Sequence, residues 1–323
     1  MMILIALLLS FQVRADEAHP SRLSTPSYYA EAYGVLEAKA ARAIHPWPVN
    51  VLSIGHTNAS YQNYGGQPYF HHGLDIRANA DEDVFASAGG KVVNIENYAF
   101  GELYWEVAIL DADGFLWQYH HVDRKSIPAE IHAAFKSGGS IAAGTKIGKV
   151  VNWPITTYGE RYHHIHLNIL DGQRRYVSPF LFLDPLADTI APVIQRIGLL
   201  KNGREVRGNK VSGAYSLFAE ITDLILHDKF LVPPHLLQVE VDGAAARTVW
   251  NFEMLPGGAD EEAQVDKFYV ASMVCGNYSC RRPIIDLGFL NSFPSSPGTH
   301  TVRVRAWDFA GQQVVQDFQW LVE

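Results

Sequence analysis

The sequence has only 2 cysteines among its 323 residues. That count excludes a disulfide-dense scaffold, a zinc site of four cysteines and an iron–sulfur cluster held by this chain alone. Basic residues are also few, since 26 Lys and Arg stand against 34 Asp and Glu for a net charge of -8. A general nucleic-acid binder or a protein attracted to anionic membranes usually carries the opposite sign, so we expect neither partner.

Long hydrophobic runs are missing as well. The most apolar window, residues 3–11, is shorter than the roughly 20 residues needed to span a bilayer, so we expect no transmembrane segment. It has the length of a signal-peptide core, and Val13-Arg14-Ala15 is typical of a cleavage site. We therefore predict a signal peptide at residues 1–15 and a secreted or periplasmic protein. The alternative is a buried N-terminal strand or helix.

The two cysteines lie close together, with four residues between Cys275 and Cys280. In an exported protein this spacing predicts a disulfide that closes a small loop. Two free thiols, or a redox or metal pair, are the alternatives.

The chain divides into regions of different pattern. Residues 16–47 form an N-terminal helical segment, with one predicted helix at 27–44 that ends before the prolines Pro46 and Pro48. Residues 48–186 show short apolar or alternating runs separated by Gly and Asp turns, and one predicted helix at 128–135. A Pro-containing linker follows.

Residues 192–323 form a second β-rich region. Strands are predicted at 215–222, 237–241, 267–274 and 299–306. The strict alternation near the end of the chain, followed by a turn, is typical of a late strand in an immunoglobulin-like sandwich. We therefore predict an all-β dominated fold, with an antiparallel sheet in residues 48–186 and an immunoglobulin-like β-sandwich at the C-terminus.

Histidine is concentrated where the first β region has its strands. Of the 14 histidines, seven fall in three short clusters: His71 and His72, His120 and His121, and His163, His164 and His166. Successive side chains of a strand alternate between its faces. His71 and Asp75 are therefore expected to share one face, as are His164 and His166, while Ile165, Leu167 and Ile169 form the apolar face behind the latter pair.

A site that combines His71, Asp75 and one member of the last pair offers two imidazoles and one carboxylate. Such a set, with a fourth position open, suits a catalytic zinc ion. His-x-His alone is weak evidence, but together with the first motif and a third histidine cluster it predicts a metal site.

These elements resemble the lysostaphin-like (β-lytic) zinc metallopeptidases, a family of peptidoglycan endopeptidases. The resemblance covers about residues 48–175 and rests on five elements. They are residues 70–76 for the family's His-x-Gly-x-Asp-Ile, 84–93 for the strand and turn that follow it, 119–122 for its Tyr-Gly-His-Leu, 143–148 for its Gly-x-x-Ile-Gly, and 164–167 for its His-Leu-His-Phe. The sequence departs from the family at His120, which replaces a usual Gly, and at His163, which replaces a usual Pro. The approach at residues 158–162 is bulkier than is common.

The resemblance implies that residues 48–186 are a zinc metallopeptidase domain with one Zn²⁺ per chain, held by His71, Asp75 and His166. It also implies that His121 and His164 are unliganded catalytic histidines. His72, His120 and His163 are then left either to line the groove or pack structurally, or to contact the residues of the site.

The activity implied is that of a secreted or periplasmic zinc endopeptidase which hydrolyses peptide bonds in peptidoglycan stem peptides or cross-links. We expect peptidoglycan or its peptides as the partner and a monomeric chain. Two alternatives are a non-catalytic module that binds the cell wall or activates a hydrolase, and an exported metallopeptidase that cuts Gly-rich proteins.

Overall fold

A computed structural model describes residues 44–58, 60–64, 67–97, 99, 101–157, 159–226, 229–255, 261–270, 273, 278–279, 283–288 and 292–323. The predicted signal peptide, the helical segment up to residue 43 and both cysteines lie outside these residues. Within them, no helix combines the length and apolar character needed to cross a membrane.

The first β region contains fourteen strands and one α-helix. They are β1 (Ser53–Ile54), β2 (Tyr61–Tyr64), β3 (Gln67–Phe70), β4 (Leu74–Arg77), β5 (Asp83–Phe85), β6 (Gly90–Asn97), β7 (Trp105–Leu110), β8 (Leu116–His120), α1 (Ala129–Ser137), β9 (Ser140–Ile141), β10 (Lys146–Lys149), β11 (Thr156–Thr157), β12 (Glu160–Arg161), β13 (His164–Leu170) and β14 (Tyr176–Val177). Short 3-10 helices occupy Arg124–Ser126 and Pro179–Leu181.

The second region contributes eleven strands and a further helix. They are β15 (Val193–Lys201), β16 (Arg204–Val206), β17 (Lys210–Val211), β18 (Ser216–Leu224), β19 (Leu231–Val232), β20 (Leu236–Val241), β21 (Arg247–Asn251), α2 (Glu261–Phe268), β22 (Tyr278–Ser279), β23 (Ile284–Asp286), β24 (Gly298–Trp307) and β25 (Gln313–Val322).

The main sheet of the first region has eight strands in the order β1-β4-β13-β8-β7-β6-β9, with β14 also paired to β13, and every pair is antiparallel. The core face of β13 carries Ile165, Leu167 and Ile169, all 0% exposed. Because side chains alternate along a strand, His164 and His166 lie together on the opposite face.

The second region is built from two five-stranded sheets. One has the order β16-β15-β18-β19 with β23 beside β18, and the other has the order β17-β25-β24-β20-β21. Apart from the parallel β17–β25 pair, these strands pair antiparallel. The all-β dominated, antiparallel fold is thus confirmed, while an immunoglobulin-like sandwich and the domain limits stay predictions.

One predicted strand is wrong. Residues 267–274 are predicted to be extended, but Lys267 and Phe268 form the last turn of α2, and residues 271, 272 and 274 lie outside the described part of the chain. Their hydrophobic neighbours pack inward from a helix end, where Phe268, Tyr269 and Val270 are buried. A short apolar run cannot by itself distinguish a strand from a buried helix end.

The two β regions share one hydrophobic core. Phe70, at the end of β3, is fully buried, and its ring centroid lies 5.5 Å from that of Trp250 and 6.0 Å from that of Phe268. Backbone hydrogen bonds also cross between the regions, from Ser178 N to Glu253 O at 2.8 Å and from Leu255 N to Tyr176 O at 2.9 Å. The loop that begins at His71 is therefore supported by aromatic residues of the second region.

A buried acid in β18 predicts a pH-dependent stability. Asp223 is 3% exposed, and burial raises its pKa to about 8, with Asp308 and Asp188 nearby acting in the same direction. Because the folded state holds this proton more tightly than the unfolded chain, stability falls as pH rises from about 4 to about 8. We expect Asp223→Asn to stabilise the protein by roughly 1–3 kcal/mol at pH 8 and by little at pH 4. Urea unfolding at both pH values measures this.

The control is Asp113→Asn, at an exposed turn between β7 and β8. It should leave the difference between the two pH values unchanged. An equal effect of Asp223→Asn at pH 4 and pH 8 would contradict the assignment.

Candidate active site

Three side chains converge at one end of the β4–β13 pair. Oδ1 of Asp75 lies 3.0 Å from Nε2 of His71 and 3.0 Å from Nδ1 of His166. One ligand atom from each residue can be chosen so that all lie within 4.8 Å of one another. This is the N/N/O set predicted from the sequence.

The strand register explains part of this convergence. His166 on β13 is the cross-strand partner of Asp75 on β4, so their side chains start from neighbouring positions. His71 precedes β4 and reaches the pair across Gly73. A Cβ at Gly73 would lie 2.1 Å from the carbonyl oxygen of Leu167, so only glycine lets the loop pass this close to β13.

The far side of each candidate ligand is held by a hydrogen bond. Nδ1 of His71 is 3.0 Å from the carbonyl oxygen of Gly73 and 3.1 Å from that of Thr57. Oδ2 of Asp75 accepts from the Tyr162 hydroxyl at 2.9 Å, and Nε2 of His166 lies 2.7 Å from Oδ1 of Asn168. A ring nitrogen that faces a carbonyl oxygen carries the proton, so the lone pairs of His71 Nε2 and His166 Nδ1 are directed at Asp75.

The electrostatics favour the forms that bind a cation. Burial alone would raise the pKa of Asp75, but the neighbouring His71 and His164 outweigh it and hold that pKa well below its usual value. Burial, together with His71, lowers the pKa of His166. The carboxylate is thus ionised and the imidazole neutral, as metal ligands must be.

Two further histidines lie beside this set. The ring centroids of His121 and His164 are 4.5 Å apart, and Nε2 of His164 is 3.7 Å from Oδ1 of Asp75. Nδ1 of His121 donates to the Leu103 carbonyl at 2.8 Å, and Nδ1 of His164 donates to the Tyr162 carbonyl at 2.7 Å. In both rings the proton is therefore on Nδ1 and the lone pair on Nε2.

Burial lowers the pKa of both rings, that of His164 to about 4 and that of His121 well below its usual value. Both are therefore neutral near pH 7. The backbone of His121 has φ of 65°, in the left-handed region that non-glycine residues rarely adopt. This turn ends β8 and lets His121 point toward the same face as His120.

Residues 69–179 match the sequence model of peptidase family M23. We refer to this matched region as the M23 domain. The resemblance to the lysostaphin-like metallopeptidases is thereby confirmed. No curated protein matches the chain.

Solved structures also resemble this chain. The SpoIIQ–SpoIIIAH pore-forming complex is 21% identical, with 46% of this chain and 99% of that chain covered and a TM-score of 0.34. Csd3 from Helicobacter pylori is 19% identical, with 45% of this chain and 36% of that chain covered and a TM-score of 0.33. A zinc-containing peptidase from Vibrio cholerae is 20% identical, with 41% of this chain and 38% of that chain covered and a TM-score of 0.33. The latter two matches span less than two thirds of those chains, and the assignment rests on the sequence match.

An aromatic wall flanks the two unliganded histidines of the M23 domain. The Trp153 ring centroid lies 4.7 Å from that of His121 and 5.1 Å from that of His164, and Tyr104 lies 5.9 Å from both His121 and Trp153. Trp153 and Tyr104 are partly exposed. This wall has no signal in the sequence, because neither residue belongs to a histidine motif.

Tyr162 and Asn168 are two further residues of the site that were not predicted. Tyr162 stood out only as part of the bulky approach to His164, yet its hydroxyl fixes Asp75 and its ring lies against His164 at 4.5 Å. The hydroxyl fits because Gly55 has no side chain; a Cβ there would lie 1.8 Å from it. Asn168 shares the polar face of β13 with His166, so strand alternation was a usable signal for it.

The three remaining histidines of the three clusters lie in different places. The ring of His72 stacks on Tyr176 at 4.2 Å, away from Asp75. Nδ1 of His163 accepts from the backbone N–H of Trp153 at 3.0 Å and so holds the loop that carries the aromatic wall. His120 is buried beside His166, with ring centroids 5.2 Å apart.

Proposed function

We propose that the M23 domain is a zinc metalloendopeptidase that hydrolyses peptide bonds in the stem peptides or cross-links of peptidoglycan. The observation that carries the proposal is the convergence of His71, Asp75 and His166, with the unliganded His121 and His164 beside them. The peptidoglycan substrate is supported by the motif resemblance and not by the geometry.

The donor set fits zinc. Two imidazole nitrogens and one carboxylate oxygen leave a fourth tetrahedral position for water or substrate, and each donor is already oriented by an outer hydrogen bond. Zinc, when bound there by His71, Asp75 and His166, would supply a Lewis acid that polarises the scissile carbonyl and acidifies a water molecule. One zinc ion per chain is expected.

His121 and His164 are placed to move protons. Each has its Nδ1 proton committed to a backbone carbonyl, so each can accept a proton only at Nε2. One ring would take the proton of the attacking water and pass it to the leaving amine. The other, after taking a proton from solvent at its Nε2, would donate a hydrogen bond to the oxyanion that develops on the substrate carbonyl. One histidine thus acts as the base, so no carboxylate is needed for that role, and the second histidine has a separate role at the oxyanion.

Trp153 and Tyr104 supply the adjoining wall, where the substrate peptide would lie across the two histidines. We further propose that the chain acts as a monomer outside the cytoplasm, in the periplasm or after secretion, where peptidoglycan is found. This placement is supported by the apolar window at residues 3–11.

The test is digestion of purified peptidoglycan by the zinc-loaded full chain, with the products identified by mass spectrometry. We expect new amino termini within stem peptides or cross-links, and no such products with the His121→Ala, His164→Ala double variant. A Gly-rich peptide assayed in parallel tests the alternative of a protein-cutting metallopeptidase. A folded, zinc-loaded chain that cleaves neither substrate would refute the proposal and favour a non-catalytic module.

A further inference from the structure

A row of four polar side chains crosses the main sheet behind the metal site. The register pairs Asp75 of β4 with His166 of β13, His166 with His120 of β8, and His120 with Glu106 of β7. Carboxylates therefore stand at both ends of the row, with two imidazoles between them. The end at Asp75 belongs to the proposed zinc site, and the end at Glu106 has no role in the mechanism above.

The inner end of this row is buried. Glu106 is 2% exposed, His120 is 7% exposed and Asn168 is 5% exposed. A buried carboxylate costs free energy unless polar groups surround it. Glu106 is faced by the amide of Asn94 at 3.0 Å, the amide of Gln118 at 3.3 Å and Nδ1 of His120 at 3.2 Å. The contact between His120 Nδ1 and Glu106 lacks the geometry of a regular hydrogen bond. Unlike the ligand nitrogens that face Asp75, however, this nitrogen has no proposed cation beside it, so the carboxylate favours a proton on Nδ1 over a lone pair.

These contacts fix the orientation of Asn168. Since Nδ1 of His120 holds the proton, Nε2 is an acceptor, and it lies 3.1 Å from Nδ2 of Asn168. Gln118 donates to Glu106 through its nitrogen, so its Oε1 is also an acceptor, 3.4 Å from the same Nδ2. The two amide hydrogens of Asn168 thus meet two acceptors, and its Oδ1 must face His166.

The orientation of Asn168 then decides the tautomer of His166. Oδ1 lies 2.7 Å from Nε2 of His166, which must donate to it. The His166 proton is therefore on Nε2, and the lone pair is on Nδ1, the atom that faces Asp75. If Asn168 were flipped, its nitrogen would face Nε2, the proton would move to Nδ1, and the ring could not bind a metal through that atom.

We infer that Glu106 and His120 are positioning residues of the zinc site, which act through Asn168 to hold His166 in its metal-binding tautomer. The inference rests on the proposed zinc site. A carboxylate at position 106 can only accept hydrogen bonds. It therefore permits only one donor-to-acceptor order along the series of hydrogen bonds that runs from Glu106 through His120 and Asn168 to His166. Glutamine at that position could donate to His120, and every donor and acceptor in this series of hydrogen bonds could then exchange roles.

The test is the zinc dissociation constant of the full chain, measured by competition with a chelator. Glu106→Gln should weaken zinc binding by about 10- to 100-fold, the range known for partners of metal-bound histidines. His120→Ala should weaken it similarly, because Asn168 loses an acceptor that holds its orientation. The matched control is Glu220→Gln, which removes a carboxylate of similar burial, 4% exposed, that is paired with Arg196 in the second region. This variant should bind zinc like the wild type.

A double-mutant cycle separates positioning from a general loss of packing. Asn168→Asp keeps an acceptor for Nε2 of His166 but has no hydrogens to donate to His120. In that background, Glu106→Gln and His120→Ala should leave zinc affinity unchanged. Equal weakening in both backgrounds, or no weakening by Glu106→Gln in the native background, would overturn the inference. Absence of zinc binding in the wild type would instead refute the proposed function.

Discussion

Replacement of His71, Asp75 or His166 by alanine is expected to abolish both zinc binding and hydrolysis. Removing one of these side chains leaves only two metal ligands. The groups that hydrogen-bond to the two remaining ligands orient them but cannot replace the lost ligand. Metal analysis of protein purified without chelator should find close to one zinc per chain in the wild type and none in these variants.

The two unliganded histidines should behave differently. His121→Ala and His164→Ala should keep their zinc, because both rings are anchored to backbone carbonyls and not to the metal. Turnover of a peptide substrate should nevertheless fall by about 100-fold or more, the effect of losing a general acid–base group. This contrast of metal content with turnover separates the two roles.

The matched control is His132→Ala on α1, outside the three histidine clusters, which should change neither quantity. Retention of full zinc by Asp75→Ala would place the metal elsewhere. Loss of zinc in His121→Ala would make that residue a ligand. If His120→Ala abolished turnover with zinc bound while His121→Ala had little effect, the assignment of the catalytic residue on β8 would be wrong.

Strand alternation predicted much of this site. It placed His164 and His166 on one face and Ile165, Leu167 and Ile169 on the other, as the structure has them. It also brought His71 and Asp75 together, although the strand begins only at Leu74 and His71 reaches the site from the preceding loop. Because the loop is short, the assumption that residues 71–75 are extended still placed His71 and Asp75 on the same side.

The same rule could not resolve the His120–His121 pair. Alternation puts neighbours on opposite faces, but the left-handed backbone of His121 turns its ring toward the site as well. Only the motif resemblance chose His121. The contacts of Tyr162 with Asp75 and of His120 with Asn168 depend on how separate strands pair, so no local pattern contains them.

The fold showed a similar limit. The helix near 129–137 and the antiparallel character of the first region followed from turn residues and alternation, whereas the shared core did not. Only His227, His235 and His300 of the 14 histidines follow the linker, and this change of composition by itself predicts separable domains and a chain ending near Ala191 that keeps zinc and some activity. The contacts between the regions give a physical reason to expect the reverse.

Truncation after Ala191 is expected to prevent stable folding of the M23 domain and to remove its zinc. The truncated chain would expose Phe70 by removing Trp250, Phe268 and Tyr269, whose ring centroids lie within 6.1 Å of its own. It would also lose the backbone acceptor for Asn58 Nδ2, the carbonyl of Phe252 at 2.6 Å, and the β22 partner of β2.

Each large side chain exposed costs roughly 1.5–3 kcal/mol, and several together approach the roughly 5–15 kcal/mol that stabilise a typical domain. The loop from Phe70 to Asp75 should respond first, because its aromatic support belongs to the second region.

In the full chain, Trp250→Ala gives a graded version of the same loss. It should lower the free energy of unfolding by about 3–5 kcal/mol while leaving every proposed ligand in place. Thermal unfolding and zinc content of both proteins measure the effect, and a truncated chain that unfolds cooperatively with one zinc bound would show that the first region folds alone.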